Sequence, residues 1–85
     1  MSSDAGDPVR EAAALLARGD WQAAHEIVQA HESLPHATWA HGIVHILEGD
    51  LDNARYWYGR AGRRLPASPS AADELRALRA ALDAA

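Results

Sequence analysis

The dipeptide Gly-Asp occurs twice in this chain, at 19–20 and 49–50, each time between stretches whose apolar residues recur at helical spacing. Glycine suits the left-handed position that ends one helix, and aspartate accepts the free N–H groups that begin the next. With so short a link the chain can only double back, so each Gly-Asp predicts an antiparallel helix pair. Asp7-Pro8 opens the first helix, an acid at the cap followed by proline at the first helical position. Val9, Ala12, Ala13 and Leu16 share its apolar face, and Trp21, Ala24, Ile27, Val28 and His31 share that of the second. Ser33-Leu34-Pro35 breaks the chain, with Pro35 suited to the first turn of a third helix that runs to Glu48. The fourth carries Leu51, Ala54, Trp57, Tyr58 and Ala61. After the break at 65–69, Ser70 and Asp73 resemble a capping box opening a last helix with Leu75, Leu78 and Leu82 on one face. No segment alternates with period two. The expected class is all-α: two antiparallel helical hairpins within residues 1–66 and a C-terminal capping helix within 67–85 of the same domain.

Eighty-five residues make one small domain. With no cysteine, neither a disulfide nor a thiolate metal cage can staple it, so stability must come from helix packing, helped by self-association. The first residues, MSSDAGDPVR, lack the apolar core of a secretory signal, and no apolar run approaches the roughly 20 residues of a membrane helix. A soluble cytoplasmic protein is the expectation. All eight basic residues are arginine, a composition of GC-rich bacterial genomes that speaks of codons more than of function. The net charge of −4 argues against nucleic acid as a partner. Charge is uneven, with no arginine from Gly19 to Asp50 and then Arg55, Arg60, Arg63 and Arg64 before Pro66. Arginines in a last helical turn complement the helix dipole.

The two hairpins are alike. "ARGDWQAAHEIVQAHE" (17–32) aligns without gaps on "LEGDLDNARYWYGRAG" (47–62), matching Gly19 to Gly49, Asp20 to Asp50 and Ala24 to Ala54. At "GDLDNARYWYGRAGRRLP" (49–66) the chain resembles the second helix of a tetratricopeptide or Sel-type repeat, with Leu51, Ala54, Tyr58, Ala61 and Pro66 in the characteristic places. Gly42 suits the small position of the preceding helix. Residues 35–62 are similar to segments of small bacterial proteins of this type, a likeness that brings no activity with it. The first hairpin departs from the pattern at Ala12 and His31, and the period of 30 is shorter than the usual 34. The resemblance implies a helical-repeat scaffold that binds a protein or peptide. Two repeats are few for a solenoid, so the fifth helix serves as a cap or two chains pair as a homodimer.

Chemistry concentrates in "HGIVHILEGD" (41–50). At about 100° per residue, Thr38, His41, His45 and Glu48 share one strip of the third helix roughly 80° wide. Histidines at i and i+4 can direct ring nitrogens to one divalent metal ion, with Glu48 as a third ligand, and the same groups suit acid–base chemistry. Two ligands do not make a tight site, so Glu48, another histidine (His25, His31 or His36) or a partner chain must complete it. Two plainer readings compete: a polar stripe that meets water, or a buried pair facing the fourth helix and satisfied by the Tyr58 hydroxyl or Asn53.

Asn53, Tyr56, Trp57 and Arg60 form a second candidate, a partner-binding patch of the residue types that dominate hot spots, or else a plain surface pair of Tyr56 with Arg60. Trp39, Ile43, Ile46 and Leu47 are expected in the core against helix one or five. No glycine-rich phosphate loop and no placed serine nucleophile is present in the sequence. The leading expectation is a non-catalytic protein-interaction module without cofactor or membrane partner. The alternative is a metal-binding protein or metal-dependent hydrolase using His41, His45 and Glu48.

Overall fold

In the computed structural model, which describes residues 7–84, every regular element is an α-helix. The expectation of no secretory signal rests largely on residues 1–6, outside the described residues. The helices are α1 (Asp7–Ala17), α2 (Trp21–Ala30), α3 (Ala37–Glu48), α4 (Leu51–Arg60) and α5 (Ala71–Ala84). None is long and apolar enough to cross a membrane.

The two Gly-Asp corners adopt the same geometry. Gly19 and Gly49 lie at φ 80° and 91°, where a side chain would be strained. The following aspartate N–H reaches back to the Leu15 carbonyl in one corner and the His45 carbonyl in the other, both at 2.9 Å, which satisfies carbonyls the helix end leaves free. Asp20 and Asp50 then cap the next helix, their carboxylates accepting from the Ala23 and Asn53 N–H groups at 3.3 and 3.2 Å. Ala24 and Ala54, matched by the sequence alignment, are both fully buried. Closest packing runs between α1 and α2 and between α3 and α4, as two hairpins require.

Two helix starts differ from expectation. Pro35 lies ahead of α3, whose cap is His36 in the left-handed region at φ 67°. At α5 only half of the capping box forms: Ser70 Oγ accepts from the Asp73 N–H, while the Asp73 carboxylate pairs with Arg76.

α3 is the centre of the fold and packs against all four other helices. Its apolar residues Trp39, Ala40, Ile43 and Val44 are buried, together with Val9, Leu16, Val28 and Leu78. α5 closes over α1 and α3 with Leu75, Leu78 and Leu82, fastened at one end by Arg10, which pairs with Asp83 and donates to the Leu82 carbonyl, each at 2.7 Å. At the other end the Tyr58 hydroxyl accepts from Trp39 Nε1 (3.2 Å) and donates to Glu74 (2.6 Å), tying α3, α4 and α5 together. Trp39 therefore turns toward α4, beneath the Arg63 guanidinium 3.5 Å from its ring centre, rather than toward α1 or α5 alone. Gly42 gives the Tyr58 ring its place on α3. Leu47, expected in the core, is exposed.

Candidate metal centre

The central position of α3 decides what its polar stripe becomes. α3 packs on all four other helices, so the middle of its stripe is enclosed: His41 and His45 are buried, at 3% and 5% exposure, while Glu48 at its end is exposed. The expectation that the stripe meets water is thereby corrected for its histidines. So is the expectation that Tyr58 or Asn53 satisfies it: the Tyr58 hydroxyl is used by Trp39 and Glu74, and the Asn53 amide donates to Asp50. The stripe faces the cleft between α2 and α4, and its partners come from there.

His25 of α2 enters the cleft and places its Nε2 3.0 Å from His41 Nε2. The His25 and His45 rings meet edge to face at 5.2 Å, and those of His41 and His45 stack at 5.0 Å. One ligand nitrogen from each of the three histidines lies within 4.8 Å of the other two. Behind the rings, His41 Nδ1 meets Glu32 and His45 Nδ1 meets Glu48, each at 2.7 Å. An ionised carboxylate only accepts, so these contacts place a proton on each of the two Nδ1 atoms, which leaves neutral His41 a lone pair on Nε2. His25 then donates its Nε2–H to His41. The Nε2 atoms of His25 and His41 thus share a single proton, with a nitrogen of His45 in the same group.

Electrostatics favour the neutral form of His41 and of His25. Burial pushes His41 down to about 3, and the neighbouring His25 and His45 push the same way. His25 is lowered by its burial and by His45, with Glu48 opposing. The Glu32 carboxyl is raised by burial against the pull of Arg60, and its Oε1 is buried without a partner. Contact with Glu32 favours an imidazolium at His41, but desolvation of both groups opposes it, leaving a neutral N–H donating to the carboxylate. The Trp57 ring seals the other face of His41, stacked at 3.8 Å and 11°.

A tetrahedral zinc ion with nitrogens at about 2.0–2.1 Å needs them about 3.3 Å apart. The His25–His41 separation is close to this, and the His45 nitrogen lies within 4.8 Å of the ligand nitrogens of the other two. Carboxylates on the remote nitrogens are the usual outer partners of metal-ligating histidines, because they fix the ring and its tautomer. Glu48, expected as a third donor, lies on the Nδ1 of His45. A second grouping, His45, Glu48 and Asp50, draws on that same Glu48 and on the α4 cap, with both acids exposed.

The remaining candidates lie elsewhere. His31 is an exposed cap at the end of α2, outside the apolar face on which it was expected, and His36 packs its ring on Trp39. Tyr56 is 55% exposed with the Arg60 guanidinium 6.0 Å from its ring centre, and Asn53 is exposed. Trp57 is half-buried against His41, so it belongs more to the centre than to a surface patch. An apolar groove of about 530 Å³ between α1, α3 and α5, lined by Leu16, Ile43, Leu47 and Leu75, opens on the side of α3 away from the histidines. The sequence named His25 only as one of three histidines able to complete the site, and did not single out Glu32. They lie seven residues apart on one side of α2 and the turn after it, a spacing that becomes informative only once α2 is known to face His41.

Comparison of the chain with protein-family models, with curated proteins and with solved structures found no match.

Proposed function

We propose that this chain is a metal-binding protein whose centre is His25, His41 and His45, suited to zinc or a similar divalent transition ion. One observation carries the reading: three imidazole nitrogens converge within 4.8 Å while carboxylates at 2.7 Å hold the remote nitrogens of two of the rings. Imidazole suits zinc, copper and nickel, whereas magnesium and calcium require oxygen. Burying such a polar cluster stabilises a fold less than apolar packing of the same volume does, so stability alone does not account for it.

Calorimetric titration of tag-free protein with zinc at neutral pH tests the reading. One ion binds per chain with micromolar or tighter affinity, and neutral His25 keeps its one ring proton, which moves from Nε2 to Nδ1 as the ion takes Nε2. His25→Ala and His41→Ala each abolish tight binding. Affinity unchanged in both variants defeats the reading.

The exposed Tyr56 ring under Arg60 supports a second reading, a protein-interaction module with these residues as anchors. Arg60→Ala then weakens a partner complex. Trp57→Ala is a poorer probe, because it also uncovers His41.

A further inference from the structure

The donor set of this centre is incomplete, and the structure shows where each group able to complete it is engaged. Zinc takes four ligands in a closed structural site, but keeps three protein ligands and one exchangeable position in an open one. The chain has no cysteine. Glu32 and Glu48 are bound to the outward Nδ1 atoms and cannot swing to the inner side of the rings without releasing them. Asp50 accepts from both the backbone and the side-chain amide of Asn53 as the cap of α4. His36 is held on Trp39, and His31 lies exposed at the end of α2. The three-histidine group contains no fourth histidine, aspartate or glutamate among the described residues. His41 and His45 are buried and Trp57 stacks on His41, while His25 is half-exposed, so solvent reaches the cluster at His25.

From this we infer that the centre leaves its fourth coordination position to water and exchanges that water for a small monoanion of the azide or carboxylate class. The inference rests on the metal reading above. Charge sets the preference for one negative charge. The two positive charges of the ion are met by Glu32 and Glu48, while Asp50, within 4.8 Å of a His45 nitrogen, accepts from the N–H groups that open α4, and Arg60 supplies a further positive charge. Its guanidinium lies 5.4 Å from the Trp57 ring centre and forms no ion pair among the described residues. It is close enough to Glu32 to act on it electrostatically. An anion entering the cleft therefore meets a guanidinium held over the Trp57 ring that stacks on His41.

The test uses cobalt(II), which takes zinc sites and reports its coordination in the visible spectrum. Full-length protein loaded with one equivalent of cobalt is titrated with sodium azide, and its oligomeric state is measured in parallel. The expected result is a saturable, one-to-one spectral shift in a monomer. Arg60→Ala weakens azide binding severalfold, while cobalt affinity stays as in the parent. A cobalt spectrum that azide does not move overturns the inference and leaves the metal reading standing, and a dimer with such a spectrum shows a second copy supplying the fourth ligand. Failure to bind cobalt at all overturns both.

Discussion

Gly42 is where the packing of α3 against α4 can be put to a quantitative test. A Cβ built at this position lies 2.6 Å from Tyr58 Cε1, and Cδ1 is closer still. Ordinary carbon contact begins near 3.5 Å, so the ring of Tyr58 must retreat by about 1 Å to admit a methyl group. It has little freedom to do so. Tyr58 is 1% exposed, and its hydroxyl is anchored by Trp39 at 3.2 Å and Glu74 at 2.6 Å. Three magnitudes compete in Gly42→Ala. Helix propensity favours alanine by about 1 kcal/mol. Overpacking disfavours it by about 1–3 kcal/mol, and each hydrogen bond lost as the ring moves costs about 1 kcal/mol more. The overpacked side wins by about 2 kcal/mol. For a domain of this size each kcal/mol moves Tm by about 4–8 °C, so the melting midpoint should fall by roughly 10 °C. The readout is a thermal or urea melt followed by circular dichroism. The same substitution in a Tyr58→Ala background should be neutral or stabilising, because only the propensity gain remains. A Gly42→Ala protein that melts at or above the parent temperature would refute the packing argument, as would an equal loss in both backgrounds.

Two further outcomes follow from the histidine cleft. The metal-free protein should lose stability as pH falls from 7 to 5. His41 is held near 3 when folded against 6.5 when unfolded, so between these values the unfolded chain binds a proton that the folded chain excludes. That gives up to about 1.4 kcal/mol per pH unit, with His25 adding in the same direction and the raised Glu32 carboxyl opposing. Urea midpoints that stay level or rise on acidification to pH 5 would contradict this. Glu32→Gln should weaken zinc binding by about 10–100-fold while leaving the one-to-one stoichiometry intact, the usual effect of removing an outer partner. Equal affinity would show that the Glu32 contact does not orient His41.

The helices, their corners and the likeness of the two hairpins were legible in the sequence, because each is decided within a few residues. Gly19-Asp20 and Gly49-Asp50 carry their meaning locally: a positive φ that only glycine adopts easily, followed by a carboxylate within reach of the next N–H groups. The apolar faces of α1 and α5 were equally plain, since spacing along one helix sets which side chains share a face. The environment of the polar stripe on α3 was not legible. Periodicity places His41, His45 and Glu48 on one strip but cannot say whether that strip meets water or another helix. Only tertiary packing, which surrounds α3, decided that the histidines are buried. It also brought His25 and Glu32, sixteen and nine residues before His41, to contact its two ring nitrogens. A local pattern determines the secondary elements because their hydrogen bonds close within a turn. A site of three rings and two carboxylates forms across separate helices, so its geometry exists only once those helices have packed.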